Sequence, residues 1–385
     1  MRRLEDLNRV AWSSLRHAYG PATDVPDMVR ALAAASDTEA AAEAEHPLWC
    51  AVLHQGGVCD AAAPTLPFII WLLSTRPELR PSLVSWLGDL AWVLRADRED
   101  DAVAECRGVL EQAVDPMVPL LADSDIEVRT TVAGFLGECT RRAADVWPAL
   151  AERFETETSV QVQADLLISM ARVAAPAGRE HDTRRCAEAW WESTEAAKRS
   201  AAAHAYCILD PSDSAASSLL INSLPHGRPL GLWWGAGSPR FIIETLSASP
   251  GWLQSPETLD TALACVAESG DFAGAEILRL ILQDVFPGGH QDVPRSAADL
   301  TSRQRHVVEF FASGRVQFAE PRDGYTIVRS TQPLLRTYHL PADVEPLRRW
   351  LARTDRHDSL TPAVRDKRNR RRPWTRKRTT PNSPR

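Results

Sequence analysis

Between Asp115 and Cys139 the apolar positions fall into two short runs separated by a polar break, DPMVPLLADSDIEVRTTVAGFLGEC. Asp115-Pro116 reads as a helix start, because proline tolerates a first turn where its missing N–H is not needed. Val118 and Leu121 then give a short apolar face. Asp123-Ser124-Asp125 has the composition of a tight turn that also caps the next helix. In that helix Val128, Val132, Phe135, Leu136 and Cys139 share one side at helical spacing. The stretch predicts two short amphipathic helices forming an αα-hairpin.

The spacing recurs. Val162, Leu166, Met170 and Val173 repeat it after a helix that Trp147-Pro148 is expected to open. Leu83, Leu87, Leu90 and Leu94 repeat it upstream, behind a proline-opened helix around Leu66 to Leu73. Ala202, Tyr206 and Leu209 continue it more loosely, with Lys198 where the others carry an aliphatic. Units of roughly 35–45 residues, each a helix pair that cannot bury its own apolar face, are the pattern of a stacked helical array. The expected fold class is all-α.

The segment DPMVPLLADSDIEVRTTVAGFLG resembles a HEAT repeat: proline and aliphatics in the first helix, an acidic turn, then Val-Arg opening the second. Asp123, Val128 and Arg129 occupy the Asp, Val and Arg positions of that pattern. The match extends to Trp147–Val173 and is looser beyond. WSSLRHAYGPATDVPDMVRAL, HQGGVCDAAAPTLPFIIWLL, LTSRQRHVVEFF and YHLPADVEPLRRWL are similar to segments of bacterial HEAT-repeat proteins of the PBS-lyase HEAT-like kind. The resemblance implies a HEAT-like α-solenoid of antiparallel helix pairs and carries no single activity. On it, residues 1–60 are an N-terminal cap with the first helix pair, and 61–225 are HEAT-like repeats. Residues 226–360 are a C-terminal helical region with irregular loops, and 361–385 a basic, disordered tail. Breaks are expected at 176–182 and 224–239. Helices are expected near 241–246, 258–268 and 274–285, a loop at 287–295, and an extended segment within 316–330.

With 44% hydrophobic and 25% charged residues, the composition is that of a folding chain. The net charge of −7 conceals an asymmetry. Arg365 to Arg385 is crowded with Arg and Lys against the single acid Asp366, so the rest is more acidic than the total suggests. Such a body repels phosphate backbones and favours basic partners, whereas the tail alone attracts polyanions. The cysteines are odd in number and scattered, with no C-x-x-C pair, which predicts reduced, buried thiols in a reducing cytoplasm. Met1 to Gly20 has no continuous apolar stretch, and the most apolar run, Leu66 to Leu73, is far short of the ~20 residues that span a bilayer. A soluble protein with no membrane contact is expected.

Two groups stand out as candidate partner-binding residues. Trp12, His17, Tyr19, Asp24, His54 and Gln55 would converge at the start of the array as a recognition pocket. The plainer reading is a terminal cap, with Asp24 as helix N-cap and His17 or Tyr19 shielding the first unit's core. Trp233 and Trp234, in a glycine-rich loop, would anchor a partner or plug a seam where the array changes direction. The tail RDKRNRRRPWTRKR offers Arg370, Arg371, Arg372, Arg376, Lys377 and Arg378 to a polyanion, with Trp374 free to stack on a base. Neither H-E-x-x-H nor any comparable metal spacing occurs around His46, His54, His181 or His290, and there is no G-x-S-x-G elbow. No catalytic residue, cofactor or metal is expected.

The leading expectation is therefore a non-catalytic module that binds a basic protein. Asp97, Glu99, Asp100, Asp101, Asp123, Asp125, Glu127, Glu152, Glu155 and Glu157 would supply the acidic surface. An immunity-type inhibitor masking a basic toxin is one form of it, by analogy. The alternative is nucleic-acid binding, as in HEAT-like proteins that resemble DNA-repair glycosylases, with Arg129, Arg141, Arg142, Arg172, Arg184 and Arg185 lining a local stripe. Lyase chemistry, which some HEAT-like proteins resemble, has no residues specifying it here.

Overall fold

The computed structural model describes residues 3–54, 57–94, 101–226, 233–249, 251–268, 271–294, 296–314 and 331–352. These residues are overwhelmingly helical, and the fold is all-α. In chain order the first helices are α1 (Val25–Ala34), α2 (Thr38–Val52), α3 (Ala62–Thr75), α4 (Arg80–Leu94), α5 (Asp101–Leu110) and α6 (Val114–Met117). Then come α7 (Ile126–Glu138), α8 (Ala143–Thr156), α9 (Val160–Ala177), α10 (Glu180–Trp191), α11 (Ala196–Leu209) and α12 (Ser214–Ser223). The last are α13 (Pro239–Leu246), α14 (Pro256–Glu268), α15 (Asp271–Val285), α16 (Ser302–Ala312), α17 (Thr331–Thr337) and α18 (Val344–Leu351).

Two short antiparallel ladders, which the hydrophobic pattern did not predict, sit near the N-terminus. β1 (Arg16–His17) pairs with β2 (Gly20–Pro21), and β3 (Leu53–His54) with β4 (Gly57–Val58). Backbone bonds tie the two ladders together: the Ala18 amide donates to Ala51 O and the Ala61 amide to Arg16 O. The expected extended segment at 316–330 lies outside the described residues, as does the tail. The three helices expected between 241 and 285 are α13, α14 and α15, each starting two or three residues earlier than the pattern placed it.

Prolines mark helix starts less faithfully than expected. α8 begins at Ala143, so Pro148 lies inside it and does not open it. Pro67 is likewise inside α3. Each is the sixth residue of its helix, just past the first-turn amides that lack an intrahelical partner, so each removes one intrahelical hydrogen bond. Around Pro116 and Pro119 two amides are missing in close succession. There the chain breaks into α5, a 3-10 turn at Glu111–Ala113, the single turn of α6, and a second 3-10 stretch at Val118–Ala122. The acidic turn does form: Asp123 accepts the Asp125 amide at 2.9 Å, and Asp125 caps α7 through the Glu127 amide at 2.9 Å. The break expected at 176–182 narrows to Gly178, whose φ of 65° reverses the chain between α9 and α10.

α4 packs on α7, α7 on α9, and α9 on α11; the run continues from α11 to α13, α13 to α15 and α15 to α17. Between them α8 packs on α9 and α10 on α11, with α14 against α15. Helices such as α9 are therefore enclosed on more than one side, and its buried residues include Asp165 and Ser169 beside the expected aliphatics. One apolar core runs from Leu7 to Val173, another from Ala203 to Trp350. Ile168, Trp234, Ala236 and Phe241 form a small cluster between them.

Candidate functional site

The N-terminal ladders bring four of the six expected residues together. The Tyr19 amide donates to His17 Nδ1 at 3.0 Å. An amide can only donate, so Nδ1 is the bare nitrogen and Nε2 carries the proton, which it gives to Asp24 Oδ1 at 2.8 Å. Tyr19, 66% exposed, packs edge-on against the His54 ring, with centroids 5.4 Å apart and its hydroxyl 3.4 Å from Nδ1. Asp24 stands at the N-cap of α1 as expected, but its side chain serves His17 and makes no capping bond. Trp12 does not join the cluster. It is a core residue whose Nε1 donates to Leu7 O and whose ring faces Phe68. Gln55 lies outside the described residues. With both imidazole nitrogens of His17 hydrogen-bonded within the cluster, what it presents outward is an aromatic edge.

Trp233 and Trp234 turn inward. Trp234 is 2% exposed. Its indole N–H donates to Ser169 Oγ at 2.9 Å, and the Arg172 guanidinium lies 4.7 Å over its ring. The backbone amides of Trp233 and Trp234 both donate to the Asp165 carboxylate, at 3.0 and 3.1 Å. The next turn is held by His204, whose Nε2 accepts the Gly237 amide at 3.3 Å, while Nδ1–H donates to Thr245 Oγ1 at 2.8 Å. Burial holds His204 down at about 3, so it is the neutral imidazole these two bonds require. Trp233 lies across α4 and α7 where Gly88 and Gly134 leave room for it. A Cβ at 88 would come within 2.7 Å of its ring, and one at 134 would overlap the pyrrole. Trp92 closes the edge, 6.3 Å from each of the two indoles, under the Arg240 guanidinium. Contact of Trp234 with a partner would require the loop to leave this seat.

The sequence reading missed Asp165, Ser169 and His204. The signal was faint: each is a polar residue set among apolar ones in a second helix, as in ADLLISMA and AAAHAYC. What they face is fixed only by a loop some 30–70 residues downstream.

The expected acids divide into two kinds. Glu157 is buried and ion-paired with Arg129 at 2.9 Å and Arg153 at 2.6 Å, so it is withdrawn from any surface. Asp125, Glu127, Glu152 and Glu155 are exposed, and Asp97, Glu99 and Asp100 lie outside the described residues. Among the expected arginines, Arg129, Arg142 and Arg172 are ion-paired with Glu157, Asp115 and Glu138. A recess of about 440 Å³ between the ends of α4 and α7 is lined by Arg107, Arg141, Arg172, Glu111 and Glu138. Within it Arg172 is ion-paired with Glu138, and Arg107 donates to Leu94 O.

Among the described residues no group of three or more His, Cys, Asp or Glu is placed to hold a metal ion. Burial pushes the Cys207 and Cys265 thiols up to about 11, away from the thiolate a nucleophile needs. No helix among these residues is long and apolar enough to cross a membrane. The fold thus defines the chain as an all-α protein, with an inward-turned tryptophan loop and a surface histidine–tyrosine cluster. No protein-family model, curated protein or solved structure matches it.

Proposed function

We propose that this chain is a HEAT-like α-solenoid that binds a basic protein along its acidic edge and carries out no catalysis of its own. The solenoid reading is supported by the chain-order packing of α4, α7, α9 and α11. A repeated device supports it further. Arg129 donates to Asp123 O at the start of α7, and Arg199 donates to Ser193 O at the corresponding place before α11.

The observation that carries the binding reading is the placement of exposed acids at successive turns within helix pairs. Asp125 at the N-cap of α7 and Glu127 in its first turn also favour that helix through its dipole. Glu152 and Glu155 do the opposite. They stand exposed at the C-terminal end of α8, where the helix dipole disfavours a carboxylate, and Glu192 follows α10 in the same way. Helix stability does not account for them, whereas a basic partner does. An inhibitor that masks a basic toxin is one instance of such a protein.

The test is a titration of a labelled Arg/Lys-rich peptide, and separately of a labelled DNA duplex, against the full chain and its Glu152→Lys, Glu155→Lys, Glu192→Lys variant. Peptide affinity is expected to fall about tenfold or more in the variant, consistent with losing about 1.4 kcal/mol or more. Equal peptide binding by the two proteins would overturn the reading. DNA binding that survives neutralisation of the tail arginines would favour the nucleic-acid alternative.

A further inference from the structure

Two histidines far apart in the chain meet at the surface where α15 and α17 end. α15 ends at Val285 and α17 at Thr337. The residues that follow, Phe286 and Tyr338, are buried against each other with ring centroids 6.0 Å apart. Outside that pair the exposed rings of His290 and His339 meet, with centroids 4.7 Å apart. The C-terminal ends of two helices thus adjoin here, and helix C-termini favour positive charge. His17, His204 and His306 each hold a hydrogen bond to a neighbouring side chain. No hydrogen bond or ion pair from the described residues reaches the ring of His290 or His339, so each keeps a nitrogen lone pair for a ligand.

His339 also stands where folding alone would place another residue. Its φ is 57°, and it is the one non-glycine residue with positive φ among the described residues. The His339 amide donates to Arg336 O and the Leu340 amide to Leu335 O, both at 2.9 Å, which is the helix cap that glycine ordinarily completes. A β-carbon in that conformation costs stability, so the turn does not account for a histidine. The ring spacing does fit a shared ion. A Zn–N bond of about 2.1 Å places the ion about 3.2 Å from the centre of an imidazole that holds it. Two such rings, at a right angle or at the tetrahedral angle about one ion, have centres about 4.5 to 5.2 Å apart. The observed 4.7 Å lies in that interval. Both rings are exposed and the χ2 torsion of histidine is broad, so aiming one nitrogen of each at a common ion needs no backbone movement.

We propose that His290 and His339 hold a late first-row transition-metal dication, represented by Zn²⁺, as a two-imidazole chelate that clips the end of α15 to the end of α17. Imidazole nitrogens select this class over Mg²⁺ and Ca²⁺, which take oxygen donors. Among the described residues no third His, Cys, Asp or Glu is placed to join them, so water completes the coordination and the ion exchanges with solvent. The inference does not depend on the acidic edge or on the identity of a basic partner.

The test titrates Zn²⁺ into the metal-stripped full chain in competition with a chromophoric chelator. The wild type is compared with His290→Asn, His339→Gly and His46→Asn. Glycine suits the left-handed position, so His339→Gly keeps the fold and its binding reads the imidazole alone. The tightest site is expected to weaken tenfold or more in His290→Asn and in His339→Gly. It should be unchanged in His46→Asn, which removes the histidine lying 3.6 Å from the Cys50 thiol. Zn²⁺ should raise the melting temperature of the wild type and not that of His339→Gly. Unchanged affinity in His290→Asn or His339→Gly, loss of the site in His46→Asn, or an equal thermal shift in wild type and His339→Gly would each overturn the assignment.

Discussion

Glu157 joins two helix pairs with one carboxylate. Burial by itself would raise its pKa. Hydrogen bonds from the Ser159 amide, Arg153, Arg129 and the Thr158 amide outweigh that and hold it at about 2, against an ordinary 4.5. The folded state therefore binds this proton less readily than the unfolded chain. Its stabilisation is fully present above pH 4.5 and disappears as pH falls through about 2. Glu157→Gln leaves Arg129 and Arg153 without their counter-charge and is expected to cost about 3 kcal/mol at neutral pH. Thermal melts between pH 2 and 7 check this, since the variant should show a flatter acid limb. Glu45 behaves in the opposite sense. Burial, and then the Asp89 carboxylate, push it up to about 7. The folded state keeps a proton that the unfolded chain has released, so stability falls as pH rises from 4.5 to about 7. Glu45→Gln is expected to melt higher than wild type at pH 8 and to lose that advantage at pH 4; equal differences at both would refute the assignment.

At the scale of elements, the tryptophan loop and the helices beneath it form one unit. Ser169 is buried where α7 and α9 approach so closely that a Cβ on Gly137 would lie 2.8 Å from its hydroxyl. Ser169→Ala fits the same space but strands the Trp234 N–H, at an expected cost of about 1–3 kcal/mol by denaturant titration. A loss near zero would mean the bond contributes nothing. Gly178 ends α9 at φ 65° with no atom near enough to clash with an added Cβ. Gly178→Ala should therefore cost only the conformational term, about 1 kcal/mol, and leave the α9–α10 pairing intact by circular dichroism.

For the molecule as a whole the governing quantity is charge. The chain carries −7 overall while its last residues are strongly basic. Each phosphate neutralised by Arg or Lys adds about 0.9 to the slope of log affinity against log salt on duplex DNA. Replacing Arg370, Arg371, Arg372, Arg376, Lys377 and Arg378 with Gln is expected to remove most of that slope. A slope that persists in the variant would locate the polyanion site on the helical body, at arginines that the ion pairs with Glu138, Glu157 and Asp115 do not account for.

The helices were legible because one-sided burial writes itself into the chain as apolar spacing. The positions Val128, Val132, Phe135 and Leu136 announced α7, and Asp125 announced its cap. Proline was a poorer guide, since Pro67 and Pro148 lie inside helices, each at the loss of one intrahelical hydrogen bond. The turn acids were visible, but which of them stay exposed was not. Glu157 looks like Glu155 in the sequence and differs because Arg129 from the preceding helix pair, Arg153 and the amides of Thr158 and Ser159 converge on it. The N-terminal cluster was legible in four of its six residues: His17, Tyr19, Asp24 and His54 do meet, while Trp12 is taken by the core. The sequence by itself determined helix type, the acidic body and the basic end, because these depend on local spacing and composition. Only the tertiary structure decided that Trp233 and Trp234 face inward, because the groups that receive them, Asp165, Ser169, Gly88 and Gly134, are assembled by packing between helices distant in the chain.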